Sequence, residues 1–326
     1  MKRTALCIAA VLSASAGMAT AAQQGTDYPA RPIRVLIPYA AGGATDIVAR
    51  ILGPKMYERM GQPIVIDNRA GAAGNLAMEM VAQAQPDGYT LFVGNISTNS
   101  INPILFKSKI GVDAGRDLAG ITLLASIPNL IIVGPKLPAN SLKEAIAYAK
   151  ERPGQLNYSA PLGSYSHLDM LAFQRAAGIR LVHVPSKGAG ETLPLLMRGE
   201  THMTESNVAS NLGAIRAGQI KALATTATKR LSELPEVPTM AEAGFPGIGS
   251  LNWNGLFAPR KTPKAVIDKL HKVAAGIMSE PDMQEFMAKR AIPVAVSASP
   301  AEFDAYVRSE RERWAKVVAD NNVKID

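Results

Sequence analysis

Twice in this chain a short apolar strand runs into a glycine turn that opens a helix: IRVLIPYAAGGATDIVARIL at 33–52 and LNYSAPLGSYSHLDMLAF at 156–173. A strand that leaves its sheet through a helix returns parallel to itself, so each copy belongs to a parallel α/β layer. Two copies imply two such layers. In open α/β sheets ligands bind beyond the carboxyl ends of the strands, so both turns are expected to face one cleft. Each turn also exposes the unpaired N–H groups and positive dipole end of a helix N-terminus, which favour an anion.

The alternation continues on either side of these units. Strands are expected at 33–37, 64–67, 90–93, 121–125, 130–133, 156–159, 181–184, 202–204, 221–225 and 292–296. Helices are expected at 45–59, 75–83, 141–150, 191–197, 209–217, 264–278, 283–289 and 301–321. Ser141 and Glu144 make a capping box at one of these starts. A Pro/Gly-rich stretch, ELPEVPTMAEAGFPGIGS, precedes a change of character near residue 250. The expected organisation is a leader at 1–21, one lobe of 22–126 plus 250–326, and a second lobe of 127–249, joined by at least two crossovers.

The chain opens with Lys2 and Arg3, an apolar run to about Val11, and small residues ending in Ala19-Thr20-Ala21. This is the pattern of a secretory signal cut after Ala21 or Ala22, so the mature protein is expected to be exported. The run is too short to span a bilayer comfortably, and no later segment approaches the roughly 20 apolar residues a transmembrane helix needs. The lone Cys7 lies in the leader, which excludes disulfides, cysteine catalysis and cysteine metal sites from the mature chain. Removing the leader's two cations takes the formal charge from +8 to +6. Aromatics are only 5% and no basic-aromatic cluster occurs, so no nucleic-acid partner is expected.

The first turn is neither a Walker loop nor a GxGxxG dinucleotide motif. No lysine or arginine lies between Ile37 and Ile47, so an anion here is held by backbone amides, Tyr39 and Thr45. Charge-assisted hydrogen bonds contribute about 1.5–3 kcal/mol each. Four or five, offset by closure costs, reach micromolar affinity, about −8 kcal/mol. Asp46 either meets a ligand hydroxyl or amine, or caps its own helix. Ser164, Ser166 and His167 invite a hydrolase reading, yet the G-x-S-x-G elbow is absent and adjacent Ser166 and His167 splay apart on one turn. His167 is expected to orient its loop or start a helix, and His183 to sit in the core. His202 and His271 lack partners at metal-ligand spacing, so neither metal nor cofactor is expected. NISTNSINP at 95–103 reads as a polar rim loop. Trp253 marks a lobe junction or is a packed aromatic.

The collinear segments YPARPIRVLIPYAAGGATDIVARIL, GQPIVIDNRAGAAGN, PDGYTLFVGNISTNSINPILF, GSYSHLDML, LVHVPSKG and LPEVPTMAEAGFPG resemble the Bug-type receptors of tripartite tricarboxylate transporters. The resemblance spans essentially the whole mature chain. It implies a two-lobe, type II-like periplasmic binding protein fold, each lobe a mainly parallel sheet flanked by helices. It also implies a carboxylate gripped between the turns, partly through ordered water. On one side it implicates Tyr39, Ala40, Gly43, Thr45 and Asp46, with Ser97 and Thr98 as additions. On the other it implicates Pro161, Gly163, Ser164, Ser166 and His167.

Two positions depart from the family's pattern. Ser206 stands where many relatives have an aspartate suited to an amine, and Ser186 stands where a tyrosine is common. Both point to a mono- or dicarboxylate rather than an amino acid. The expected function is a monomeric, non-catalytic receptor that closes on such an acid and delivers it to a membrane permease. A ligand-sensing adaptor for a membrane signalling protein and an exported α/β hydrolase are the alternatives.

Overall fold

The computed structural model describes residues 28–107 and 110–320, so the expected leader and its cleavage site lie outside the described residues. The chain runs β1 (Ile33–Ile37), α1 (Ala44–Met60), β2 (Ile64–Asn68), α2 (Asn75–Ala82), β3 (Thr90–Asn95), β4 (Leu118–Ile127) and β5 (Asn129–Val133). It continues through α3 (Leu142–Lys150), β6 (Asn157–Ala160), α4 (Tyr165–Ala177), β7 (Val182–Pro185), α5 (Ala189–Met197), β8 (Met203–Asn207), α6 (Val208–Arg216) and β9 (Lys221–Thr225). Strand β10 (Asn252–Pro259) and helices α7 (Lys264–Met278), α8 (Pro281–Ala288) and α9 (Pro300–Asp320) complete it. Among the described residues no helix is long and apolar enough to cross a membrane.

Two sheets share one plan, with orders β2-β1-β3-β10-β4 and β7-β6-β8-β5-β9. In each, three strands run parallel, and the fourth is antiparallel to both its neighbours. The parallel three are those the αβ alternation implies. The fourth is the strand on which the chain enters from the other lobe. It enters at the edge where the parallel strands end, so it must run away from that edge. Asn254 therefore pairs with Asn95 and Asn129 with Asn207.

The two crossovers lie side by side. One passes from Ile127 through Pro128 to Asn129; the other arrives at Asn252, which pairs with Ile127. Asn129 Nδ2 donates to the Ser250 carbonyl at 2.6 Å, and Thr226 Oγ1 accepts from the Asn129 N–H and donates to the same carbonyl, both at 2.9 Å. These three residues tie the two crossovers together. The first sheet packs α1 and α7 on one face through Val35, Leu52, Leu256 and Ile277, all buried. On its other face Phe92 and Phe257 pack against Phe303 and Trp314 of α9, and Tyr158, Phe173 and Met203 fill the second lobe. Each such side chain contributes about 1.5–3 kcal/mol by leaving water.

Three expectations are corrected. The stretch 252–259, not foreseen as a strand, is the central β10, buried along its whole length, so it shows no alternation to read. Its Gly255 is required, because a Cβ there would lie 2.1 Å from Phe303 Cζ. The strand expected at 292–296 is a single bridge between Val294 and Ala125, since Pro293 has no N–H to extend a ladder. The rim loop expected at 95–103 is helical: a π-turn at Ser97–Ile101 leads into a short α-helix at Asn102–Leu105. Asn95 Oδ1 starts it by accepting the N–H groups of Ser97 and Thr98 at 3.0 and 3.2 Å. Trp253 is a packed aromatic of β10, edge-on to Phe303 at 6.0 Å, with Nε1 donating to Glu310 at 3.2 Å.

Candidate functional site

The first turn owes its shape to Gly42, whose φ of 84° is open to glycine at little cost. Gly43 is the N-cap of α1, and no side chain caps the N–H groups behind it. The turn is held from the rear instead. Asp46, in the first turn of α1, accepts from the Gly42 N–H at 2.9 Å, from Arg50 Nε at 2.9 and 3.0 Å, and from Asn68 Nδ2 at 3.0 Å. Asn68 also donates to the Tyr39 carbonyl at 3.0 Å. Burial alone would raise the Asp46 pKa, but Arg50, the Gly42 amide and Asn68 together hold it below the usual carboxylate range. Asp46 is not on the cleft wall; its carboxylate is spent on the turn, in the manner of a capping box.

The second turn uses Gly163, with φ of 73°, followed by Ser164 as the N-cap of α4. Ser164 Oγ accepts the His167 N–H at 3.3 Å and lies 3.0 Å from Ser166 Oγ. His167 Nδ1 accepts the Gly163 N–H at 3.1 Å, and its ring stacks on His183 at 4.2 Å. His183 Nε2 is 2.9 Å from the Ala160 carbonyl, and Tyr158 extends the stack at 5.0 Å. Burial, aided by His183, pushes the His167 pKa down to about 4, so both imidazoles are neutral at pH 7. With Nδ1 occupied by a backbone donor and no ring nitrogen on either serine, these residues hold a turn rather than activate a nucleophile.

Between the turns lies a cleft with about 460 Å³ of empty space. Tyr39, Gly43, Thr45 and Ser97 face it from the first lobe, and Pro161, Ser164, Ser166 and Ser206 from the second. Ala40, Thr98, Gly163 and His167 stand behind the wall with Asp46. Thr98 Oγ1 is engaged within its own turn, accepting the Asn95 N–H at 3.0 Å. The lobes touch directly: the Ala40 N–H donates to the Lys187 carbonyl at 3.2 Å, and the Tyr165 N–H to Ser97 Oγ at 3.0 Å. A Cβ on Gly190 would lie 2.0 Å from the Ala41 carbonyl oxygen. The arrangement is a closed one.

The wall also includes Tyr165, Thr192, Glu205 and Asn207, which sequence reasoning did not single out, together with Asn95 of the expected rim loop and Asn252 beside Trp253. Asn95 and Asn207 end parallel strands, so the rule that ligands sit beyond the carboxyl ends of strands would have found them. Asn252 had no such signal, because the placing of β10 is tertiary, and Glu205 lies two residues before the end of β8. Among the described residues no lysine or arginine lines the cleft, and none of the His, Asp and Glu groups there could hold a metal ion. The polar groups that face the cleft are helix N-termini, hydroxyls, side-chain amides and the Glu205 carboxyl.

The family described as "Tripartite tricarboxylate transporter family receptor" matches residues 48–323. Protein BugT of Bordetella pertussis is 33% identical over 322 residues, which is 98% of each chain. The solved structure of R. palustris Rpa4515 with adipate aligns with a TM-score of 0.86 at 33% identity, covering 90% of this chain and 97% of that one. MatC (Rpa3494) from Rhodopseudomonas palustris, with bound malate, aligns with a TM-score of 0.84 at 33% identity, covering 89% and 100%.

Proposed function

This chain belongs to the tripartite tricarboxylate transporter receptor family, and on that premise we propose that it captures one small mono- or dicarboxylic acid between its lobes and releases it unchanged to a membrane permease. The family is one of solute-binding receptors, not of enzymes. The observation that carries the reading is the uncapped N-terminus of α1 facing the N-terminus of α4 across a cleft without a cationic side chain. The amides behind Gly43, with Thr45, Tyr39 and Ser97, hold one carboxylate. Ser164, Ser166 and Ser206 meet it from the other lobe, directly or through water. Two solved relatives that carry adipate and malate support the ligand class.

Binding works by population shift, since a ligand touching both turns gains its contacts only when the lobes are closed. The division into 22–126 plus 250–326 and 127–249 makes the Asn129–Thr226–Ser250 cluster the hinge. The receptor acts as a monomer in the periplasm after its leader is cut at Ala21 or Ala22. Thermal unfolding of the mature protein against mono-, di- and tricarboxylates, amino acids and aromatic acids tests this. Ligand at about 100 times its dissociation constant stabilises by about 2.7 kcal/mol. Response to a few organic acids is the expected result; silence to all of them, or turnover of carboxylic esters, rejects the reading.

A further inference from the structure

At the floor of the cleft lies a group that carboxylate capture by amides does not use. Glu205 of β8 lines the cleft at 2% exposure, and Asp169 of α4, at 7% exposure, lies within its hydrogen-bonding reach. Several groups face this pair. Tyr165 comes from α4, Asn129 from β5, and Ser250 from the crossover, its Oγ donating to Asp169 Oδ1 at 3.2 Å. From α9 the charge of Arg313 reaches Asp169, while its guanidinium bonds Glu310 at 2.8 and 3.0 Å. Arg175 lines the cavity behind Asp169, and Tyr39 faces Tyr165 from the first lobe.

One oxygen of each carboxyl, Glu205 Oε1 and Asp169 Oδ2, has no hydrogen-bond partner among the described residues. Ionised carboxylates only accept, so two facing ones leave both oxygens unsatisfied and repel. A proton on Glu205 supplies the missing donor and removes the repulsion. Burial and the charge of Asp169 push Glu205 well above the usual carboxylate range, and burial raises Asp169 to about 6. One negative charge therefore remains on the pair at neutral pH. An organic acid anion entering the cleft brings a second, with no lysine or arginine on the wall to offset it.

We propose that Glu205 is a further ligand-contacting residue, positioned by Asp169, and that the pair takes up one proton from solvent as the anion enters, so that the cleft selects an acid together with a proton. This rests on the carboxylate-receptor reading above and narrows it. With the second proton on the pair, Glu205 offers an O–H to the far end of the ligand. The cleft then favours acids whose far end is an oxygen acceptor, such as a second carboxylate, over those ending in an ammonium. Asn129 and Ser250 belong to the hinge, so the same proton reaches the closing element.

The sign follows from linkage. An anion beside the pair raises its proton affinity, so ligand affinity is highest below the ligand-free pKa and falls as pH rises through about 6. The limiting slope is about tenfold per pH unit for one proton. Calorimetry of the mature protein with malate and with adipate at pH 5–8, in two buffers of different ionisation enthalpy, reads this directly. Binding at least tenfold tighter at pH 5 than at pH 8, with uptake approaching one proton, is expected. Asp169→Asn should flatten the profile around pH 6, because Glu205 already carries its proton there, and Glu205→Gln should change affinity at every pH while keeping that midpoint. Carbon-13 NMR of the ligand-free protein should show a carboxyl titrating near 6 that is absent in Asp169→Asn. Binding that is flat in pH without proton uptake overturns the proton role and leaves the receptor intact. An amino acid bound tightly and lost in Glu205→Gln also overturns it, since Glu205 then acts as an anion. Failure of every organic acid tested, at every pH, overturns both readings.

Discussion

In the first lobe a buried carboxylate holds the glycine turn from behind, whereas in the second lobe a stack of uncharged imidazoles does so. Asp46 bonds the Gly42 amide and is neutralised by Arg50 on its far side, which leaves the positive end of α1 free to face the cleft. Gly43 contributes no side chain to compete for those amides. The second turn caps itself with Ser164 and braces itself with His167 on His183, adding no formal charge. The comparison teaches that the first lobe presents a helix N-terminus without a side-chain cap, while the second presents one capped by its own hydroxyl.

The sharpest way to break this asymmetry is Gly43→Asp. Gly43 has an ordinary extended conformation, and a Cβ there meets only the Ala40 carbonyl oxygen at 3.5 Å, so the fold should tolerate it. The new carboxylate occupies the donors the ligand needs, and affinity by calorimetry should fall about a hundredfold or more, the loss of about 3 kcal/mol. Retained affinity would place the ligand elsewhere. Gly190→Ala acts on closure instead, because its Cβ meets the Ala41 carbonyl at 2.0 Å. A cost of about 2 kcal/mol to the closed state weakens binding roughly thirtyfold. The ligand-free melting temperature should not change, and small-angle scattering should lose its ligand-induced contraction.

Asp46→Asn removes the charge from the first turn's brace. The expected stability loss in chemical denaturation is about 2 kcal/mol, the worth of hydrogen bonds to a charged group. Acid separates the two turns next. The His167 and His183 pKa values are depressed, so the stability they contribute is present above their unfolded value of about 6.5 and is lost as pH falls below it, for His167 down to about 4. The Asp46 pKa is also depressed, so its contribution is present above the unfolded aspartate value of 3.8 and is lost only below it. Amide hydrogen exchange between pH 6.5 and 4.5 should therefore accelerate at 161–167 before 42–46. Simultaneous loosening would contradict the division of labour. The smallest effect is Ser164→Ala, about 1 kcal/mol for a lost N-cap, with the first turn unaffected.

Much of this architecture was legible in the chain. Alternating apolar runs and helical segments located the six parallel strands, because those strands are local βα units with their own turn chemistry. The glycine turns and several wall residues, such as Gly43, Thr45, Ser164 and Ser166, were legible for the same reason: turn shape and helix starts are short-range. The capping alternative for Asp46 and the loop-orienting alternative for His167 were legible, while their place behind the cleft wall was not. Which side of a helix start faces a ligand depends on the opposite lobe.

The sequence by itself determined that two βα units would each present a helix N-terminus, since strand, glycine and cap residues act over a few positions. Only the tertiary structure decided what faces what. Strand β10, drawn from far along the chain, fills the middle of the first sheet, and β5 does the same in the second. That placement sets Asn252 on the cleft wall and brings Asn129 against Glu205. Asp169, unremarkable on a helix, becomes the partner of Glu205 because α4 packs on β8. The interaction of two carboxyls depends on distance and burial, and neither is written in local sequence.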